Sequence, residues 1–224
     1  MPVVPERSRY VFDVGRAAEG EDLVGVGADL APGTVLEAYA CGVFPMGLGD
    51  SGGPPLGWWS PDPRGILRPA DLHVSRSLRR SLRHFEVRVD TDFAGVVAGC
   101  ADPSRSGRWI TPDIVAAYSE LHRLGWAHSV EVLQDGRLVG GLYGIAIGGL
   151  FAGESMFHTA TDASKVAVAG LVDVVAADGD RRRLVDVQWR TPHLATLGVT
   201  EVPRAEYLGL LADALTAPLP APFR

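Results

Sequence analysis

Residue chemistry in this chain is most concentrated at Glu154 and at the pair Asp186 and Gln188. Glu154 is the one carboxylate in an apolar, glycine-rich run, GGLFAGESMF at 148–157, and a charge among such neighbours is costly unless something matches it. Gly148, Gly149 and Gly153 leave room for a second backbone or a ligand to come close. Two explanations stand: a core arginine partners the carboxylate, or a cationic ligand does. Asp186 and Gln188 are two residues apart in the run LVDVQW, which puts them on one face of a strand. A carboxylate beside an amide can orient and deprotonate an attacking amine; the alternative is a polar strand face turned to solvent.

Other reaction classes lack their residues. GESMF holds only half of a GxSxG nucleophile turn, His122 and His128 are not at HExxH spacing, and no phosphate-binding glycine loop occurs. Cys41 and Cys100 are far apart and outside any CxxC or Cys/His pattern, which gives neither a disulfide framework nor a metal site; both are expected to be buried thiols.

The elements that must carry these residues can be read in order. Residues 1–16 are a loose lead-in, and Thr34 is placed to cap a short helix that ends at Gly42. Residues 46–63, rich in Gly and Pro, read as an ordered loop or linker whose Trp58 and Trp59 pack against a neighbouring domain or touch a ligand. Residues 65–69 suggest an edge strand, 75–84 a basic helix, 85–90 a strand, 92–100 a helix, and Thr111-Pro112-Asp113 the start of an amphipathic helix running to about 124. From 129 to 157 three strands follow one another with turns at 134–136 and 148–149, an antiparallel meander. A helix over 162–177, a strand over 184–189 and a final helix from about 204 complete the chain. This order predicts a small N-terminal domain, 1–66, followed by an α+β domain, 67–224, of acetyltransferase-like (GNAT-type) build around a central, mainly antiparallel sheet. The expected coenzyme A turn, 158–164, contains no glycine to cradle a pyrophosphate, so no coenzyme is expected and the acyl donor should be something else.

Composition bounds the partners. With 46% hydrophobic and 21% charged residues the chain suits a soluble globule; its longest apolar run, 138–151, is broken by glycines and too short to span a membrane, and the N-terminus has no signal pattern. A cytoplasmic protein is expected. The net charge of −6 argues against general adhesion to nucleic acid. Yet Arg76, Arg79, Arg80, Arg83 and Arg88 face only Glu86 between residues 73 and 88, a patch that fits limited phosphate contact or a plain solvated helix face.

The segments GVFPM, WWSPDPRGIL, RWIT, AYSELHRLGWAHSVEV, LVGGLYGIAIGGLFAGESMF, ASK, VDVQ and TLGVTEVPR, in this order and spacing, resemble the leucyl/phenylalanyl-tRNA–protein transferase family over nearly the whole chain. The resemblance implies transfer of Leu or Phe, with Met as a further donor, from aminoacyl-tRNA to the N-terminal Arg or Lys of a protein, which marks that protein for degradation by the N-end rule. It further implies that Asp186 acts through Gln188 on the attacking amine, and that Glu154, within the motif that includes Ser155 and Met156, holds an amino group. Val168, Leu171, Val175, Val185 and Met156 are then candidates for an apolar side-chain pocket, and Trp109 and Tyr118 for stacking on the terminal adenosine, beside Met46. Arg76, Arg79, Arg80 and Arg83 would follow the acceptor-stem phosphates. Met46, Ala152, His158, Val187 and Thr191 stand where the family pattern commonly has Trp, Cys, Ser, Cys and Asn. A related aminoacyl-tRNA-dependent ligase acting on peptidoglycan precursors is the alternative enzyme. An RNA-binding module would leave Asp186, Gln188 and Glu154 without a task. No heptad or exposed apolar stripe points beyond a monomer.

Overall fold

Short strands come first. In the computed structural model, which describes residues 1–224 except Glu19, Ser106 and the side chain of Arg16, β1 (Leu23–Val26), α1 (Pro32–Ala40), β2 (Phe44–Gly47) and β3 (Leu56–Trp59) form a small unit with a three-stranded antiparallel sheet in the order β1-β3-β2. The stretch read as a loop or linker is thus partly strand. Four-residue strands interrupted by Gly and Pro show too little alternation to announce themselves. Trp58 is buried with Val14, Ala38 and Val43 and donates its Nε1–H to Gly27 O at 2.8 Å, whereas Trp59 donates to Met46 O and packs against the main core. Helix α1 begins two residues before the expected cap: Pro32 occupies its first turn, where a fixed φ and a missing N–H suit a helix start, and Thr34 lies buried inside the helix.

The larger sheet begins with β4 (Arg64–Leu67). It is followed by α2 (Arg76–Ser81), β5 (Glu86–Val89), α3 (Phe93–Cys100), α4 (Pro112–Arg123), β6 (Ala127–Gln134), β7 (Arg137–Ile147), β8 (Leu150–His158), α5 (Ala163–Ala176), β9 (Leu184–Gln188), α6 (Pro192–Ala195), β10 (Thr200–Val202) and α7 (Arg204–Leu215). The strand order is β10-β4-β9-β8-β7-β6-β5, antiparallel except for the parallel pair β8 and β9, which α5 connects by a crossover. The expected α+β class with a mainly antiparallel central sheet is the class observed. Strand β4 is not an edge: the three-residue β10 covers it, with Thr200 opposite Ile66. That strand is too short to be read from sequence.

Side-chain alternation splits the core. Tyr143, Ile145, Leu150 and Ala152 face a cluster completed by α1, α3, α4 and α7, while Leu142, Ala146, Phe151 and Val185 face one completed by α2, α5 and α6. Ser75, Asp92 and Thr111 each accept a backbone N–H at a helix start. Arg204, at the head of α7, donates to the carbonyls of Ala18, Glu21 and Ser60 and so ties the N-terminal unit to the large sheet.

Candidate active site

Glu154 owes its position to a break in register. Tyr143 pairs with Ser155 and Gly144 with Gly153, so Glu154 is the extra residue of a β-bulge, a device that re-aims a side chain out of strict alternation. Gly144 makes the bulge possible, since a Cβ there would lie 2.2 Å from Ala152 O. Glu154 is half-buried, with Oε1 of its carboxylate shut off from solvent. Its Oε2 accepts the Tyr118 hydroxyl at 2.9 Å, and Tyr118 is in turn 2.6 Å from the Tyr39 hydroxyl. Among the described residues Oε1 has no partner although it is buried. Burial pushes the carboxyl up to about 7, with Asp186 acting in the same direction, against the downward pull of the two tyrosine hydroxyls and Arg64.

Asp186 is held differently. It is fully buried on β9, and the equally buried Arg64 grips it with Nε at 2.9 Å from Oδ1 and Nη2 at 2.6 Å from Oδ2. The Tyr207 hydroxyl donates to Oδ2 and the Gln188 backbone N–H to Oδ1, each at 2.9 Å. Burial opposes a charge on Arg64, but Asp186, Tyr207 and Tyr39 together outweigh it and the guanidinium is raised above its ordinary value. The Arg64 guanidinium also lies over the rings of Phe44 and Tyr207. The polar strand face considered from sequence is therefore an interior ion pair. Gln188 leaves the strand with φ of +56° and joins the wall of a cavity that Asp186 does not line; its Nε2 is buried without a partner among the described residues.

That cavity, about 120 Å³, is lined by Leu142, Gly153, Glu154, Ser155, Met156, Val168, Leu171, Val185, Val187, Gln188 and Leu194. Of the residues singled out in the sequence it brings together Glu154, Ser155, Met156, Val168, Leu171, Val185 and Gln188. Val175 is not among them; it is buried in the core further along α5. Tyr118 is wholly enclosed, so its ring presents no face to a base, and its hydroxyl serves Glu154 instead. Trp109 and Met46 are half-buried against the main core and do not line the cavity. Gly52 comes so close to Trp109 that an added Cβ would fall 2.1 Å from its carbonyl oxygen. No local pattern marks Tyr39 or Tyr207 for this site, whereas the arginine that opens the apolar run RGIL is a sequence signal for a buried partner.

Arg76, Arg79, Arg80 and Arg83 are exposed on α2 and the turn after it. The Ser81 hydroxyl donates to Asp162 at 2.8 Å, which fastens this basic segment to the start of α5, the helix whose Val168 and Leu171 line the cavity. A more open cleft of about 400 Å³, lined by His73, Ser75, Lys165 and Gly198 among others, lies between them. A larger cleft, about 710 Å³, opens where α4 meets the N-terminal unit, with Asp29 and Asp113 on its wall. No helix of the described residues is long and apolar enough to cross a membrane.

Comparison with known proteins decides the family. The family described as leucyl/phenylalanyl-tRNA protein transferase matches residues 66–212, and the N-terminal domain of the same family matches residues 28–62. The chain belongs to this family. A leucyl/phenylalanyl-tRNA–protein transferase of Nitratidesulfovibrio vulgaris is 47% identical over 96% of this chain and 92% of its own, and one of Dechloromonas aromatica is 50% identical over 87% and 83%. Among solved structures, a GCN5-related N-acetyltransferase from Kribbella flavida aligns with a TM-score of 0.39 at 14% identity, over 62% of this chain and 54% of that one.

Proposed function

We propose that this transferase moves Leu or Phe from aminoacyl-tRNA to the α-amine of proteins that begin with Arg or Lys, forming a peptide bond and marking them for N-end-rule degradation. The observation that carries this is the cavity: an apolar chamber on whose wall Glu154 Oε1, an acceptor, and Gln188 Nε2, a donor, have no partner among the described residues. Its volume of about 120 Å³ is close to the ~150 Å³ of a dry cavity that takes up benzene, a fit for one Leu or Phe side chain. Aminolysis of an activated ester is downhill, so the site has chiefly to align the partners and manage protons. Asp186 acts through Gln188 by fixing the backbone that presents the free amide to the reacting group. The exposed arginines on and after α2 follow phosphates of the acceptor stem, with Trp109 beside the terminal base. A division near residue 66 and a cytoplasmic monomer belong to the same proposal. The test is to mix purified protein with Leu-tRNA or Phe-tRNA and peptides that differ only in their first residue. Product with Arg or Lys and none with Ala supports the assignment; equal product with Ala overturns the acceptor specificity.

A further inference from the structure

Peptide-bond formation has a proton problem. An N-terminal amine holds its extra proton up to a pKa of ~7.7–8.0, and the protonated form cannot attack a carbonyl. Asp186 is poorly placed to take that proton, because Arg64, Tyr207 and the Gln188 N–H already occupy its two oxygens. Tyr39 and Tyr118 are kept in their neutral form by burial. Glu154 Oε1 is different: it is a buried acceptor with no donor among the described residues, on the wall of the cavity, and its twin oxygen is pinned by a tyrosine pair drawn from α1 and α4.

Resting on the acyl-transfer reading above, we infer that Glu154 is the base that takes the proton from the acceptor's α-ammonium, and that Tyr118 and Tyr39 are positioning residues that hold its carboxylate for this step. Oε1 takes the ammonium proton. The freed nitrogen lone pair forms the C–N bond to the aminoacyl carbon; the ester C–O bond breaks and its electron pair goes to the ribose oxygen. That oxygen takes the second proton lost by the nitrogen, and Glu154 returns its own to water. The charged and titratable groups facing Glu154 are Tyr39 from α1, Tyr118 from α4, Tyr143 from β7, Asp186 from β9 and Arg64 from β4, while α5 and α6 offer the cavity only Val168, Leu171 and Leu194. Burial raises the carboxyl, and Tyr39, Tyr118 and Arg64 moderate the rise to about 7, a value suited to accepting a proton near neutral pH.

The experiment is single-turnover transfer of Leu from Leu-tRNA to an Arg-initiated peptide across the neutral pH range, with wild type, Glu154→Gln and Tyr118→Phe. Wild type should show an acidic limb near pH 7 besides the titration of the peptide amine. Glu154→Gln should lose on the order of 10²-fold or more in rate together with that limb. Tyr118→Phe removes a bond that favours the ionised carboxylate, so its limb should move to higher pH; a purely structural hydroxyl would lower the rate and leave the limb in place. An active wild type whose profile and rate are matched by Glu154→Gln would overturn the inference and leave the transfer reading standing. No transfer by wild type would overturn both.

Discussion

Arg64 and Asp186, 122 residues apart, meet through two hydrogen bonds of 2.9 and 2.6 Å with neither side chain exposed to solvent. The pair joins β4 to β9 beside the cavity, and its Asp186 also fixes the Gln188 backbone. Removing one partner of a buried pair strands the other charge, which costs about 3–5 kcal/mol. Arg64→Ala should therefore lower the unfolding free energy by about that amount in chemical denaturation. A loss below 1 kcal/mol would show that the stranded carboxylate finds water.

Glu154 should act on stability in the opposite direction. Its carboxyl is raised from an ordinary value of 4.5 to about 7, so the folded state binds the proton more tightly than the unfolded chain does. Stability from this group is fully present below pH 4.5 and is lost as pH rises through about 7. The shift corresponds to about 3 kcal/mol at most. Glu154→Gln should thus be more stable than wild type at pH 8, and the gain should vanish near pH 4. Melting curves at the two pH values check this; an equal difference at both would contradict it.

The cavity can be closed from α5. Val168→Phe places a ring in a space of about 120 Å³ and should raise the apparent Michaelis constant for both Leu-tRNA and Phe-tRNA, with at most about 1–3 kcal/mol of overpacking cost in stability. Binding of uncharged tRNA, followed by filter retention, should be unchanged. A parallel loss of uncharged-tRNA affinity would place the defect outside the aminoacyl site.

On the basic segment, Arg79→Glu together with Arg80→Glu should weaken aminoacyl-tRNA binding and flatten its dependence on salt, because each lost phosphate contact removes about 0.9 from the log–log slope. An unchanged slope would return these arginines to a solvated helix face.

The sequence exposes the site unevenly. Glu154, Asp186 and Gln188 stand out as polar residues in apolar strands, and the meander that carries Glu154 follows from alternation and turn residues. The bulge is less visible: it depends on Gly144 meeting Gly153 across two strands, a relation between segments that no local pattern records. Tyr118 was legible as important but not in its role, since a tyrosine on an amphipathic helix can turn its face to a ligand or its hydroxyl to a buried carboxylate. The strands of the N-terminal unit and β10, three or four residues long, carry too few side chains to show a period. Asp186 looked like a free acid until its partner, Arg64, was brought beside it by the sheet.

The most direct test is a crystal structure with a non-hydrolysable phenylalanyl-adenosine amide. The phenyl ring should lie between Val168, Leu171 and Met156, with a polar atom of the bound aminoacyl group within hydrogen-bonding distance of Glu154 Oε1 or Gln188 Nε2. A ring seated instead in the larger cleft beside Asp29 and Asp113 would contradict it.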